Sequence, residues 1–112
     1  MKINDRKLQD ITLLDLDGNL VLQENAQFRA HIIAVIEAGA RNLILNMANV
    51  PHTDSNGLGE LISCYRAMER VSGRVILLRP NHRLRKLLVI TKLITLFETF
   101  EHESVAVASF TS

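Results

Sequence analysis

The 112-residue sequence has no tryptophan, one tyrosine and four phenylalanines. The aromatic platforms on which proteins stack single-stranded bases are therefore absent. A formal net charge of +1 argues against a dedicated nucleic-acid binder, which carries a strong basic excess. One cysteine, Cys64, excludes an internal disulfide framework and suits a reducing compartment. The N-terminal stretch Met1 to Lys7 has no apolar run of signal-peptide length, and no run elsewhere reaches membrane-spanning length. A cytoplasmic protein without membrane insertion is expected.

Catalytic and ligand motifs are equally scarce. There is no Gly-x-Ser-x-Gly elbow and no Gly-x4-Gly-Lys-Ser/Thr loop. His31, His52, His82 and His102 are scattered, and no His or Cys pair has metal-ligand spacing. His52 lies in the same loop as Ser55, where a local surface role fits it better than that of a base. No catalytic residue, metal site or cofactor is expected, and the chain is not read as an enzyme.

What is present is an aliphatic core: 47% of residues are hydrophobic, mainly Leu, Ile and Val. The length suits one domain over residues 1–112 and is too short for two. Ile3 to Gly18 reads as two strands joined at Gln9-Asp10, with Leu14 and Leu16 facing the core. Asp17-Gly18-Asn19 is a turn. Phe28, Ile32, Val35 and Ile36 form one face of a first helix, with Asn25 a candidate cap and Gly39 the stop.

Asn42 to Met47 reads as a central strand, apolar on both faces. A second helix follows, buried through Leu58, Leu61, Ile62, Tyr65, Met68 and Val71, with Glu60, Ser63, Arg66, Glu69 and Arg70 on its polar face. Cys64 sits within this helix and reads as a packing residue. Arg74 to Leu78 is the next strand, closed by Pro80. Asn81 caps a third helix through Leu84, Leu87 and Leu88, and Leu96-Phe97 is a candidate edge strand. Glu101 to Ser104 opens a last short helix, with Val105, Ala108 or Phe110 as docking residues. The alternation of strands and helices implies an α/β fold with a mostly parallel sheet in its second half.

Charge is distributed unevenly. Between Glu69 and Glu98 stand Arg70, Arg74, Arg79, Arg83, Arg85, Lys86 and Lys92, with no acid among them. Solvated helix and strand ends account for this run. It also offers a positive face to an acidic partner or a phosphate.

The stretch Pro51-His52-Thr53-Asp54-Ser55-Asn56-Gly57-Leu58-Gly59 joins the central strand to the second helix. Ser55 falls just before or at the helix N-terminus, where unpaired N–H groups and the helix dipole favour an anion. Gly57 and Gly59 keep the first turn free of Cβ atoms, so a second backbone or a nucleotide can come close. On local physics alone Ser55 is an N-cap worth about 1 kcal/mol, and Asp54 a turn or cap residue.

The stretch resembles the signature of the STAS domain, the fold of bacterial anti-sigma-factor antagonists, in which an apolar strand leads into Asp-Ser, a small polar residue and Gly-Leu-Gly. Gly18, Gly73, Pro80 and the closing Leu88 to Phe97 run fall where such domains have them, so the resemblance spans nearly the whole chain. It implies an antagonist-like mixed sheet of four to five strands with about four helices.

The resemblance also implies a role. A partner that is both anti-sigma factor and serine kinase would bind the chain and phosphorylate Ser55, and a serine phosphatase would reset it. Asp54, Ser55, Asn56, Gly57 and Gly59 would touch the partner, and Thr53 is a secondary acceptor. The chain departs from the family pattern at two points: no acid follows Gly18 until Glu24, and Thr53 and Asn56 replace the more usual apolar and hydroxyl residues. Two other classes remain open. One is a non-phosphorylated structural subunit of a larger regulatory or transport assembly. The other is a nucleotide or small-ligand sensor built around Ser55 and the basic run.

Overall fold

The chain begins with a hairpin, described, like everything up to residue 111, in a computed structural model. β1 (Lys2–Leu8) runs antiparallel to β2 (Ile11–Asp17), and Gln9 takes a left-handed φ of 57° in the turn between them. α1 (Asn25–Glu37) then returns the chain to β3 (Asn42–Asn49), which lies parallel to β2. α2 (Ser55–Arg70) leads to β4 (Arg74–Leu78), and α3 (His82–Ile90) to β5 (Glu98–Phe100). Both strands add in parallel, so the sheet order is β1-β2-β3-β4-β5. α4 (Glu103–Ala108) closes the described chain.

Two apolar layers hold the sheet. Leu14 and Leu16 of β2, Leu43, Leu45 and Met47 of β3, and Val75 and Leu77 of β4 pack against Phe28, Leu61, Met68 and Leu88 from the first three helices. On the opposite face Ile11, Leu13, Ile44, Ile76 and Leu78 form a smaller cluster with Ala106 of α4. Burial on both faces is why β3 reads as a continuous apolar run.

Several expectations are corrected. Leu14 and Leu16 of β2 face the larger layer as expected, but the other face of β2 is buried too, Ile11 and Leu13 clustering with Ala106 of α4. Asn25 is not a cap: Glu24 occupies that position with no side-chain bond, and Asn25 is the first, buried residue of α1. The edge strand is Glu98–Phe100, two residues beyond Leu96-Phe97. Phe97 is buried in the main core, with its ring edge-on to Tyr65 at a centroid distance of 5.6 Å. α4 docks through Ala106, not Val105 or Ala108, and Phe110 packs beside it. Asn81 does cap α3, its Oδ1 accepting from Leu84 N–H at 2.9 Å.

Candidate functional site

Parallel strands bring the starts of α1, α2 and α3 to one edge of the sheet, and the stretch from Pro51 to Gly59 lies there. The segment after Gly18 runs alongside it. Gly18 N–H donates to Asn49 O at 3.0 Å, Leu20 N–H to His52 O at 3.0 Å, and Asp54 N–H to Leu20 O at 3.3 Å. Asn81 adds a brace from the α3 side, its Nδ2 donating to Pro51 O at 2.9 Å. The loop is thus tied to both neighbouring connections.

Asp54 caps α2, its carboxylate accepting the Gly57 N–H at 2.8 Å. That bond holds the Asp54 carboxyl below its usual range. Partial desolvation opposes the shift, and the N–H groups of Leu22 and Asn56 reinforce it. Ser55 is consequently not the cap. It is the first helical residue, and its side chain is exposed.

The remaining signature residues divide. Asn56 and Gly59 are exposed, whereas Thr53 is half-buried, bridged to Leu20 through the backbone. Gly57 is buried for an internal reason: a Cβ there would lie 2.0 Å from Leu20 O and 2.9 Å from Leu20 C. The close approach expected of an outside backbone or nucleotide is made at Gly57 by the chain itself. At Gly59 an added Cβ would meet nothing within 4 Å.

Beside Ser55 a groove of about 540 Å³ opens between α1 and α2, with Leu22, Asn25, Arg29, Ser55, Gly59 and Glu60 on its walls. A more apolar cleft continues from it along Ile33 and Ala67. Arg29 grips Glu60 with a fork, Nε donating to Oε1 at 2.9 Å and Nη2 to Oε2. Glu60 is therefore buried and ion-paired, not part of the polar face expected of it. A sequence signal existed: Gly57, Glu60, Leu61, Cys64 and Met68 follow the i, i+3, i+4 rhythm of the buried stripe. The partner from α1 had no such signal.

Other candidates are accounted for locally. His31 Nε2 pairs with Asp5 Oδ1 at 2.6 Å, and His52 is exposed in the loop. Cys64 is buried, and desolvation pushes its thiol up to about 12, which suits packing and not reactivity. In the basic run, Arg74 forks onto Glu98 and Arg85 reaches Glu101. Among the described residues no helix is long and apolar enough to cross a membrane.

Comparison with known proteins gives a consistent result. Residues 2–106 match the family model described as the STAS domain. An anti-sigma F factor antagonist from Lysinibacillus sphaericus is 34% identical over 79 residues, covering 70% of this chain and 68% of that protein. A crystal structure from Thermotoga maritima superposes with a TM-score of 0.93 at 18% identity, covering 98% of this chain and 95% of the other. The Bacillus cell fate determinant SpoIIAA, solved in its phosphorylated form, gives a TM-score of 0.76 at 27% identity over 97% of this chain and 99% of its own.

Proposed function

The chain belongs to the STAS domain family, and on that footing we propose that it is an anti-sigma-factor antagonist, one domain over residues 1–112, that switches partners by phosphorylation of Ser55. It is a substrate and a ligand, not a catalyst. Unphosphorylated, it binds an anti-sigma factor that is also an ATP-dependent serine kinase, and a sigma factor is released. That kinase moves the terminal phosphoryl group of ATP to Ser55 Oγ. ADP leaves, the hydroxyl proton goes to solvent, and the complex falls apart. A serine phosphatase restores the hydroxyl.

The observation that carries this reading is the division of labour between neighbours. Asp54 takes the cap, so the Ser55 hydroxyl faces outward from the first turn of α2. A phosphate there adds about −1.5 to −2 charge next to Asp54. The N–H groups at the start of α2 attract that charge while Asp54 repels it, so the fold survives. A partner surface fitted to one carboxylate and a neutral hydroxyl does not tolerate it: desolvating two further negative charges costs a few kcal/mol, which lowers affinity by orders of magnitude. Asp54, Asn56 and Gly59 contribute to that contact directly, while Gly57 sets the backbone beneath it. A relative solved in a phosphorylated form supports the reading.

The test is intact mass and phosphosite mapping on the protein from its own cells under several growth conditions, with Ser55→Ala and Thr53→Ala as controls. Occupancy on Ser55 that changes with conditions, and disappears in Ser55→Ala, is the expected result. Ser55 unmodified throughout, with the protein held in one stable complex, overturns the switch.

A further inference from the structure

Arg29 and Ser55 stand on opposite walls of one groove, Arg29 on α1 and Ser55 one helical turn above Gly59 on α2. Glu60 holds the guanidinium through Nε and Nη2, which leaves both Nη1 hydrogens and one on Nη2 for another acceptor. Exposure is divided in the same sense: the Glu60 side chain is 7% exposed and that of Arg29 61%. The buried carboxylate fixes one edge of the fork, and the exposed Arg29 side chain lines the groove. A pre-oriented guanidinium of this kind suits a phosphate, which can accept two parallel N–H bonds.

The geometry points to Arg29, held in place by Glu60, as the receptor for a phosphate carried by Ser55. The inference rests on the Ser55 acceptor reading and adds to it a specific residue and a direction. The phosphate turns into the groove between α1 and α2, bonded by Arg29 across it, and is not simply left as free charge on the loop. Phosphorylation then changes more than the charge at one position: it fills the upper groove, ties α1 to α2, and covers the hydroxyl, Leu22 and Gly59 together.

The experiment places phosphoserine at position 55 of the full chain by genetic encoding and follows its 31P resonance with pH. An arginine bonded to the phosphate lowers the second pKa of the phosphoserine. The titration midpoint is expected about one unit lower in the otherwise wild-type chain than in Arg29→Ala, with Arg29→Lys in between because it keeps charge but loses the fork.

Removing Arg29 alone leaves a buried carboxylate without its partner and endangers the fold, so the deciding pair is Glu60→Gln against Arg29→Ala/Glu60→Gln. These two differ only in Arg29 and strand no charge. A lower midpoint in the first supports the assignment, and coincident curves in the pair overturn it. The outcome is separable from the fate of the switch, because the phosphate is installed without a kinase. Coincident curves with phosphate still found on Ser55 in cells would remove Arg29 and leave the switch standing. An Arg29-dependent midpoint with no cellular phosphate would do the reverse.

Discussion

The same substitution two residues apart is expected to have opposite effects, and the reason is the backbone of Leu20. Built onto Gly57, an alanine methyl lies 2.0 Å from Leu20 O, 2.9 Å from Leu20 C and 3.0 Å from Thr53 Cγ2. The nearest of these must retreat by more than 1 Å, and it is main chain, not the end of a flexible side chain. Leu20 is poorly able to retreat. Its side chain is fully buried, its N–H donates to His52 O and its carbonyl accepts from Asp54 N–H.

Overpacking of this kind costs about 1–3 kcal/mol, and weakening two hydrogen bonds adds roughly 1 kcal/mol each. Alanine returns about 1 kcal/mol of helix propensity. The net expectation for Gly57→Ala is a loss of about 2–4 kcal/mol. Gly59→Ala meets nothing within 4 Å on an exposed part of the same helix, so only the propensity and chain-entropy gain remains, about 0.5–1 kcal/mol of stabilisation.

With no tryptophan to report, urea unfolding followed by far-UV circular dichroism is the suitable assay, read as a change of midpoint at constant slope. Thermal midpoints should separate by roughly 4 °C for each kcal/mol. Gly57→Ala within about 0.5 kcal/mol of wild type would refute the close packing of the Leu20 carbonyl on the start of α2. With that packing would go the account of why the loop is fixed.

Asn81→Ala removes the α3 cap and the brace to Pro51 O together. A loss of about 1–2 kcal/mol is expected, with faster amide exchange at Leu84 and in the Pro51 to Asp54 loop; unchanged exchange in the loop would refute the brace. Arg6 joins Asp15 of β2 to Glu103 of α4, bonding Asp15 Oδ2 at 2.7 Å and Glu103 Oε1 at 2.6 Å. Arg6 holds both carboxyls below their usual range against some desolvation. Their folded values lie below the unfolded ones, so this stabilisation is complete only above about pH 5 and is lost as pH falls through the folded values. Solvent screens the cluster, so Arg6→Met should cost about 1 kcal/mol at pH 7. The difference from wild type should fade as the carboxyls protonate, and urea midpoints measured across the acid range would detect a gap that fails to close.

The strand-to-helix junction was legible in the sequence because two periodicities meet there, and because each segment on either side is long enough to show its own. Beyond that, what the sequence conveyed depended on whether the deciding neighbour was local. Asp54 and Ser55 are adjacent cap-forming residues, and sequence alone allows the helix to begin at either register. The choice is made where Leu20 lies on Gly57 and fixes the first turn one residue earlier, so the serine emerges uncapped. Glu60 was misread as solvent-facing because its counter-ion is 31 residues away on α1. Leu96-Phe97 drew the strand expectation because it is apolar, yet Phe97 serves the helical layer and Glu98, Thr99 and Phe100 do the pairing with β4. The same dependence on distant partners explains why the groove beside Ser55 was not foreseen. Its walls are contributed by two helices whose relative placement follows from the parallel pairing of β2 with β3 and of β3 with β4. No local pattern contains Arg29 and Ser55 together, so neither periodicity nor spacing could place them on one groove.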